Sequence, residues 1–243
     1  MTTPICRIGG KSKIANQLIE NFPDFNTYVE PFLGAGNVFL RIPEHMLVGK
    51  KIILNDLDTI IYTIFTGLQK RGKWINEHIK REPITKEEFN HLLDKKHKTV
   101  SDLIRINKSS FFGQMRSFAP SKSRYFTTNF ETIGEKLKDV MIYNNSFEEI
   151  IKQFDSPTTF FYLDPPYESI KQTDYLDYVT PEQVLNSIKN IKGKFMLSYN
   201  DSPKIRKLFN KYNIYEIETK YAATQHISRR SKTELVITNY SYF

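Results

Sequence analysis

Residues 27–37 read TYVEPFLGAGN, and this stretch decides the architecture. Thr27-Tyr28-Val29-Glu30 is β-prone and reads as a short strand that Pro31 ends. Gly34 and Gly36 follow, and glycines here let the backbone approach a ligand closely. Asn37 is placed to cap a helix through Val38, Phe39 and Leu40, whose N-terminus would offer free N–H groups to the same turn. A second strand, Lys51-Ile52-Ile53-Leu54-Asn55, comes next and ends at Asp56, with a helix expected from Leu57 to Leu68. Strand, turn, helix and strand at this spacing predict right-handed parallel β-α-β units.

Working outward, Lys13 to Phe22 places Ile14, Leu18 and Phe22 at helical spacing. Lys70 to Lys108 reads mostly helical, with Trp74, Ile75, His78 and Ile79 on one stretch. Thr85 and Glu88 form a capping box ahead of Phe89, Leu92 and Leu93. Ser109 to Thr128 reads as a long loop or hairpin. The alternation then resumes, with strands at Val140–Tyr143, Thr158–Leu163, Phe195–Tyr199, Tyr215–Ile217 and Leu235–Asn239. Helices are expected at Phe147–Phe154, Pro181–Ile191 and Pro203–Phe209.

The chain has 243 residues and a formal charge of +8. Between Lys70 and Arg124 lie 14 basic and 6 acidic residues, and the remainder is balanced. A basic middle segment in a neutral chain is what a polyanion-binding insertion looks like, and a solvated Lys-rich helical face looks the same on charge alone. No stretch is apolar enough for a membrane span or a secretion signal. The lone Cys6 excludes an internal disulfide framework and suits a reducing compartment. The histidines and Cys6 show no metal-ligand spacing, so no metal is expected.

Asp164-Pro165-Pro166-Tyr167 stands where the most apolar strand stops. A diproline fixes φ and removes two backbone donors. The Asp164 carboxylate and the Pro165 carbonyl can then converge on one amino group as two acceptors, with Tyr167 as a flat face beside them. Open α/β sheets bind ligands at the carboxyl ends of strands, where the glycine turn, Asp56 and this tetrapeptide all fall. Asp56 has two readings that can coexist: an acceptor for ribose hydroxyls, and a cap for the helix after it.

Taken together these motifs resemble the Dam-type DNA adenine-N6 methyltransferases, which use S-adenosylmethionine. Pro31-Phe32-Leu33-Gly34-Ala35-Gly36 is similar to their first cofactor motif, and Asp164-Pro165-Pro166-Tyr167 matches their catalytic motif letter for letter. Gly9-Gly10-Lys11, Asn107-Lys108-Ser109 with Phe112-Gly113 and Arg116, Leu197-Ser198-Tyr199-Asn200-Asp201 and Lys232-Thr233-Glu234-Leu235 resemble further stretches of the family. The resemblance implies an α/β fold with a Rossmann-like, mostly parallel sheet and an antiparallel late strand. It implies a catalytic domain over residues 1–67 and 131–243 and a helical target-recognition insertion over 68–130.

The roles it implies are these. Phe32, Gly34 and Gly36 line the methionine end of the cofactor, with Glu30 beside them, and Lys11 contacts it from the N-terminal arm. Asp56 takes the ribose hydroxyls and Phe147 faces the cofactor's adenine. Arg7 stands where the family has an aromatic residue, and Ser146 where it commonly has Asp; both belong to the expected cofactor set. Asp164 touches cofactor and target base, with Pro165, Pro166 and Tyr167 completing the catalytic group. Lys108, Arg116, Arg124, Tyr175, Asn200, Arg229 and Arg230 are the expected DNA contacts. Phe118 to Tyr125 stands in place of the family's Asn-Val-Pro-Phe-Gly hairpin, so GATC recognition is not implied.

The expected reaction is methyl transfer to the 6-amino group of adenine. Its lone pair is delocalised into the ring, so two in-plane acceptors are needed to raise its electron density. Cytosine-C5 chemistry would need a nucleophilic Cys, and Cys6 lies outside any such motif. A base in a duplex must be flipped out to reach such a site. Duplex DNA is the expected partner, the protein acting as a monomer or weak homodimer, in the cytoplasm or wherever the DNA resides. Two alternatives stay open: an RNA or protein amino-methyltransferase with the same motif, and a catalytically weak DNA-binding relative. Restriction protection, genome marking and repair signalling are all compatible with the sequence.

Overall fold

The computed structural model describes residues 1–119, 128–167, 179–219 and 232–241. Seven strands form one sheet: β1 (Thr27–Glu30), β2 (Lys51–Asn55), β3 (Met141–Tyr143), β4 (Thr159–Leu163), β5 (Lys194–Asn200), β6 (Asn213–Thr219) and β7 (Lys232–Thr238). Their order is β3-β2-β1-β4-β5-β7-β6. The first five strands pair in parallel, and β7 runs antiparallel to both β5 and β6. The expected class, a mostly parallel α/β sheet with an antiparallel late strand, is what the chain adopts. The order reverses between β1 and β4, and such a switch point opens a crevice at the strands' carboxyl ends.

The sheet is covered on both faces, which is why its strands read as continuous apolar runs. On β4, Phe160 and Tyr162 enter the core cluster that holds Ile64, Phe65 and Leu68, while Phe161 and Leu163 enter the other with Ile150, Val184 and Ile205. The first cluster is supplied by α1 (Ala15–Ile19), α3 (Thr59–His78) and α6 (Phe130–Leu137), the second by α7 (Phe147–Phe154), α8 (Pro181–Ile188) and α9 (Pro203–Leu208). α2 (Glu44–Leu47) is a single turn whose Met46 and Leu47 are half-buried against the first cluster.

Three local expectations change. Asn37 does not cap an α-helix; the chain after the glycine turn makes a 3₁₀ turn at Phe39–Arg41. Pro43 is the reason, because it holds Ile42 at φ −58°, ψ 125°, outside the helical region. The helix after β2 starts two residues later than expected, and its cap is Asp58, whose carboxylate accepts the Ile60 N–H at 2.9 Å. Asp56 therefore has no capping role. That helix also does not end at Leu68. It continues to His78 through a bend at Arg71 (φ −142°, ψ 26°). The bend is next to Gly72, where α3 crosses α6 backbone to backbone. A Cβ on Gly72 would lie 2.6 Å from the Phe130 carbonyl oxygen, and one on Gly134 2.8 Å from that of Leu68.

Between α3 and α6 lie α4 (Lys86–Asp94) and α5 (Val100–Lys108). Thr85 caps α4 through the Glu88 N–H, and Thr99 caps α5 in a full capping box with Asp102. Ile84, Phe89, Leu92 and Ile106 form a small core of their own here, with Phe118 packed against it. Ser110 and Phe118 form an antiparallel bridge around a 3₁₀ turn at Phe111–Gly113, within the expected loop or hairpin of 109–128, of which residues 120–127 lie outside the described residues.

Candidate functional site

A cleft of about 810 Å³ opens at the carboxyl ends of β1, β2 and β4. The N-terminal arm, the glycine turn, Asp56, the start of α7, the Asp164–Tyr167 segment and the Phe112–Arg116 turn all line it. The sequence-separated motifs therefore share one wall.

The glycine turn is built for close approach. Gly34 and Gly36 sit at φ +53° and +71°, in the left-handed region that favours glycine. A Cβ on Gly36 would lie 2.9 Å from Phe65 Cζ. The Gly34 N–H donates to Asp56 Oδ2 at 2.7 Å, and the Asp58 N–H donates to Asp56 Oδ1 at 3.0 Å. Asp56 thus ties the end of β2 to the turn after β1. Asn55 repeats the tie below it, donating to the Pro31 and Asn145 carbonyls at 2.9 and 3.0 Å. Arg7 ion-pairs with Asp58 at 2.8 Å from across the cleft. Phe32 and Phe147 present rings 5.0 Å apart and tilted by 35°. Ser146 lines the cleft as expected, and its Oγ also caps α7 by accepting the Glu149 N–H at 3.3 Å.

Four acids converge. Glu30 is buried at the end of β1 and accepts the Tyr28 O–H at 2.7 Å. Burial pushes its carboxyl up to about 8, and the fields of Asp164 and Asp56 push the same way. Burial also raises Asp56, against the opposing pull of Arg7. Asp164, at the end of β4, keeps a fifth of its side chain exposed. Burial lifts it to about 6, with the Lys11 ammonium pulling the other way. The fourth acid is Glu234, on β7.

Lys11 sits among them. Its Nζ lies 2.6 Å from Asp164 Oδ1, 3.2 Å from Glu234 Oε1 and 3.1 Å from the Gly9 carbonyl. Burial alone would lower the Lys11 ammonium's pKa; the two carboxylates outweigh it and the net direction is up. The ammonium also lies 4.8 Å from the centre of the Tyr167 ring. Tyr167 stacks on Tyr199 at 5.5 Å and donates its phenolic hydrogen to Glu234. Pro165 and Pro166 line the cleft between Asp164 and Tyr167.

The structure brings Arg7, Lys11, Glu30, Phe32, Gly34, Asp56, Ser146, Phe147, Asp164, Pro165, Pro166, Tyr167 and Arg116 to this cleft. Gly36 shapes the turn from behind. Lys108 does not reach it: the side chain is buried, and Nζ donates to Thr128 Oγ1 at 2.8 Å, fastening the end of α5 to the chain before α6. Asn200 ends β5 opposite Glu234 and is not among the lining residues. Arg124, Tyr175, Arg229 and Arg230 lie outside the described residues.

Two features were given no role by the sequence, although Phe112 and Glu234 stand in stretches that resemble the family. Glu234 belongs to the acid cluster only through tertiary contact. Phe111 and Phe112 are both more than half exposed, with rings 4.4 Å apart, and Phe112 lines the cleft mouth at φ +49°. Among the described residues no group of three or more His, Cys, Asp or Glu side chains is placed to hold a metal ion. Among the same residues no helix is long and apolar enough to cross a membrane.

Comparison with known proteins adds the following. A family model described as D12 class N6 adenine-specific DNA methyltransferase matches residues 8–100 and 97–223. Type II methyltransferase M.CviBI of Paramecium bursaria Chlorella virus NC1A is 26% identical over 255 residues, covering 96% of this chain and 97% of the relative. Modification methylase StsI of Streptococcus sanguinis is 27% identical over 98% of this chain, which spans 43% of that relative's length. DNA adenine methylase of Escherichia coli strain K12 is 22% identical, covering 96% of this chain and 92% of the relative.

Proposed function

The chain belongs to the D12 class of N6 adenine-specific DNA methyltransferases, and from that premise we propose that it transfers the methyl group of S-adenosylmethionine to the 6-amine of an adenine flipped out of duplex DNA. One observation carries the reading: the Asp164–Tyr167 segment lines the same cleft as the Gly34 turn and Asp56.

The residues present fit the cofactor. Gly34 lines the cleft at φ +53°, a backbone conformation that a side chain would strain, and Gly36 lets the turn close down on Phe65 behind it. Asp56 offers a carboxylate to vicinal hydroxyls, Phe32 and Phe147 offer apolar faces, and Ser146 stands at the lip. Bound there, S-adenosylmethionine supplies an electrophilic methyl group on a sulfonium.

The chain's own part is positioning and polarisation. Asp164 and the Pro165 carbonyl accept the two amine hydrogens in one plane, which concentrates electron density on nitrogen and favours its pyramidalisation. Holding the amine at a fixed angle to the donor turns a bimolecular encounter into an intramolecular one. Once nitrogen has gained the methyl group it carries an excess proton, which the Asp164 carboxylate accepts directly or through water. Tyr167 gives the purine a flat neighbour.

The segment from α4 to the Ser110–Phe118 bridge supplies the DNA-facing side. Arg116 is exposed beside Phe112 at the cleft mouth, and the 68–130 region bears the chain's positive excess. Electrostatic attraction to phosphates brings the duplex in, and binding weakens steeply with salt. The test is methyl incorporation into duplex DNA by the purified protein and by Asp164→Ala. Loss in the variant is expected; equal incorporation refutes the assignment. Competition with RNA and with peptide substrates separates the DNA reading from other amino-methyl transfers.

A further inference from the structure

We propose that Glu234 is a positioning residue of the methyl-transfer site, holding the Lys11 ammonium and the Tyr167 phenol in one arrangement beside Asp164. The inference rests on the reading of Asp164 given above. Glu234 comes from β7, the antiparallel strand slotted between β5 and β6, far in sequence from the other members of the cluster. Its side chain is 13% exposed, and it is not among the residues lining the cleft. It touches neither base nor cofactor and acts through two groups that do.

The geometry is tightly determined. An ammonium has three donors and no acceptor. Lys11 points those donors at Gly9 O, Asp164 Oδ1 and Glu234 Oε1, at 3.1, 2.6 and 3.2 Å. Glu234 Oε1 also accepts the Tyr167 hydroxyl, so one oxygen fixes both the lysine and the ring. The consequence concerns the moment the amine arrives. Asp164 must then accept the amine hydrogen with the carboxylate that now takes Lys11. Without a second anion, Lys11 would stay on Asp164 and compete with the substrate. Glu234 keeps the ammonium in place while Asp164 turns to the amine, and it holds the Tyr167 ring through the same exchange.

Five groups face Asp164: Lys11 from the N-terminal arm, Glu234 from β7, Glu30 from β1, Tyr162 from β4 and Tyr167 from its own segment. Glu234 opposes ionisation of Asp164 and Lys11 favours it. Replacing Glu234 by a neutral group of the same size therefore makes Asp164 easier to ionise.

The experiment is single-turnover methylation of duplex DNA by the full chain with S-adenosylmethionine, from pH 5 to 8. The proteins are wild type, Glu234→Gln, Glu234→Ala, Tyr167→Phe and the Tyr167→Phe/Glu234→Ala double variant, with Asp164→Ala as control. Glu234→Gln is expected to move the acid limb of the rate profile to lower pH, an effect that a purely structural role would not produce. Tyr167→Phe and Glu234→Ala are each expected to slow the reaction about tenfold or more, the scale of a hydrogen bond to a charged group. In the double variant the second change costs less than it does alone. An unshifted acid limb in Glu234→Gln, or losses that multiply independently, overturns the proposal. Glu234→Gln keeps volume and an acceptor, so the acid-limb test stands even where Glu234→Ala fails to fold. Wild-type activity in Asp164→Ala would instead sink the underlying reading of the site.

Discussion

Glu30→Gln should flatten the dependence of stability on pH. Glu30 sits at the end of β1, 2% exposed, with the Tyr28 O–H on its carboxyl. Its pKa is near 8 in the folded chain against an ordinary 4.5. The folded state therefore binds a proton more tightly than the unfolded one. Stability from this group is full below pH 4.5 and falls as pH rises towards 8. With those two values the loss is about 1 kcal/mol by pH 5 and about 3 kcal/mol by pH 7, an increment of about 2–3 kcal/mol. Glutamine has the same shape and no proton to lose. For a chain of this size the increment corresponds to about 5–10 °C in Tm. Thermal unfolding of wild type and Glu30→Gln at pH 5, 6, 7 and 8 measures it. The wild type should lose that much more than the variant between pH 5 and 7. Parallel curves would mean that Glu30 is ionised in the folded protein, and the burial argument for the whole cleft would fail with it.

Four other outcomes follow from the same geometry. Methyl transfer should rise with pH through about 6, because Asp164 must be ionised to accept the amine hydrogens. Lys11→Met should move that rise upward, as single-turnover rates at saturating cofactor would report. Gly36→Ala puts a Cβ into Phe65 at φ +71° and should cost about 2–5 kcal/mol of stability, the combined scale of left-handed strain and overpacking, while weakening S-adenosylhomocysteine binding. Urea denaturation and calorimetric titration measure the two effects. Arg116→Ala should lower the salt slope of DNA binding by about 1, whereas Lys108→Met should leave it unchanged, because that lysine is spent on Thr128.

Local signals located most elements. α7 has the expected bounds and β4 begins one residue later than expected, because an apolar run buried on both faces and an amphipathic helix with acids in its first turn are both written in consecutive residues. The failures are of two kinds. Some signals were local and unread: Pro43 against a helix after Asn37, the Thr99–Asp102 capping box of α5, and Asn129 ahead of Phe130, Ile133 and Leu137 in α6. Others had no local form. Lys70-Arg71-Gly72-Lys73 looks like a polar break after Leu68, yet Gly72 is where α3 must meet Gly134, sixty-odd residues away in the chain. Lys108 looks like a solvent-facing cation until Thr128 is folded against it. Asp164 was legible because strand, diproline and tyrosine are contiguous. Glu234 stands in the family-like Lys232–Leu235 stretch, but its role was not legible, because its partners are Lys11 and Tyr167.

The arrangement of charge explains why an arm with little regular structure is packed so closely. Asp56, Glu30 and Asp164 end three adjacent parallel strands, and burial raises the pKa of all three. Carboxylates at such a switch point repel one another unless cations are brought to them. Arg7 and Lys11 come from the arm, one to Asp58 beside Asp56 and the other to Asp164. The arm must therefore be held, and Asn107 of α5 holds it. The Cys6 N–H donates to Asn107 Oδ1 at 2.7 Å, while Asn107 Nδ2 donates to the Cys6 and Gly113 carbonyls at 3.1 and 2.9 Å. A Cβ on Gly113 would collide with the Cys6 carbonyl, so the aromatic turn at the cleft mouth lies directly on the arm. The cations that make the acid cluster tolerable are thus anchored by the turn at the cleft mouth. Any shift of that turn reaches the arm that carries Arg7 and Lys11 through the Gly113–Cys6 approach and the Asn107 bridge.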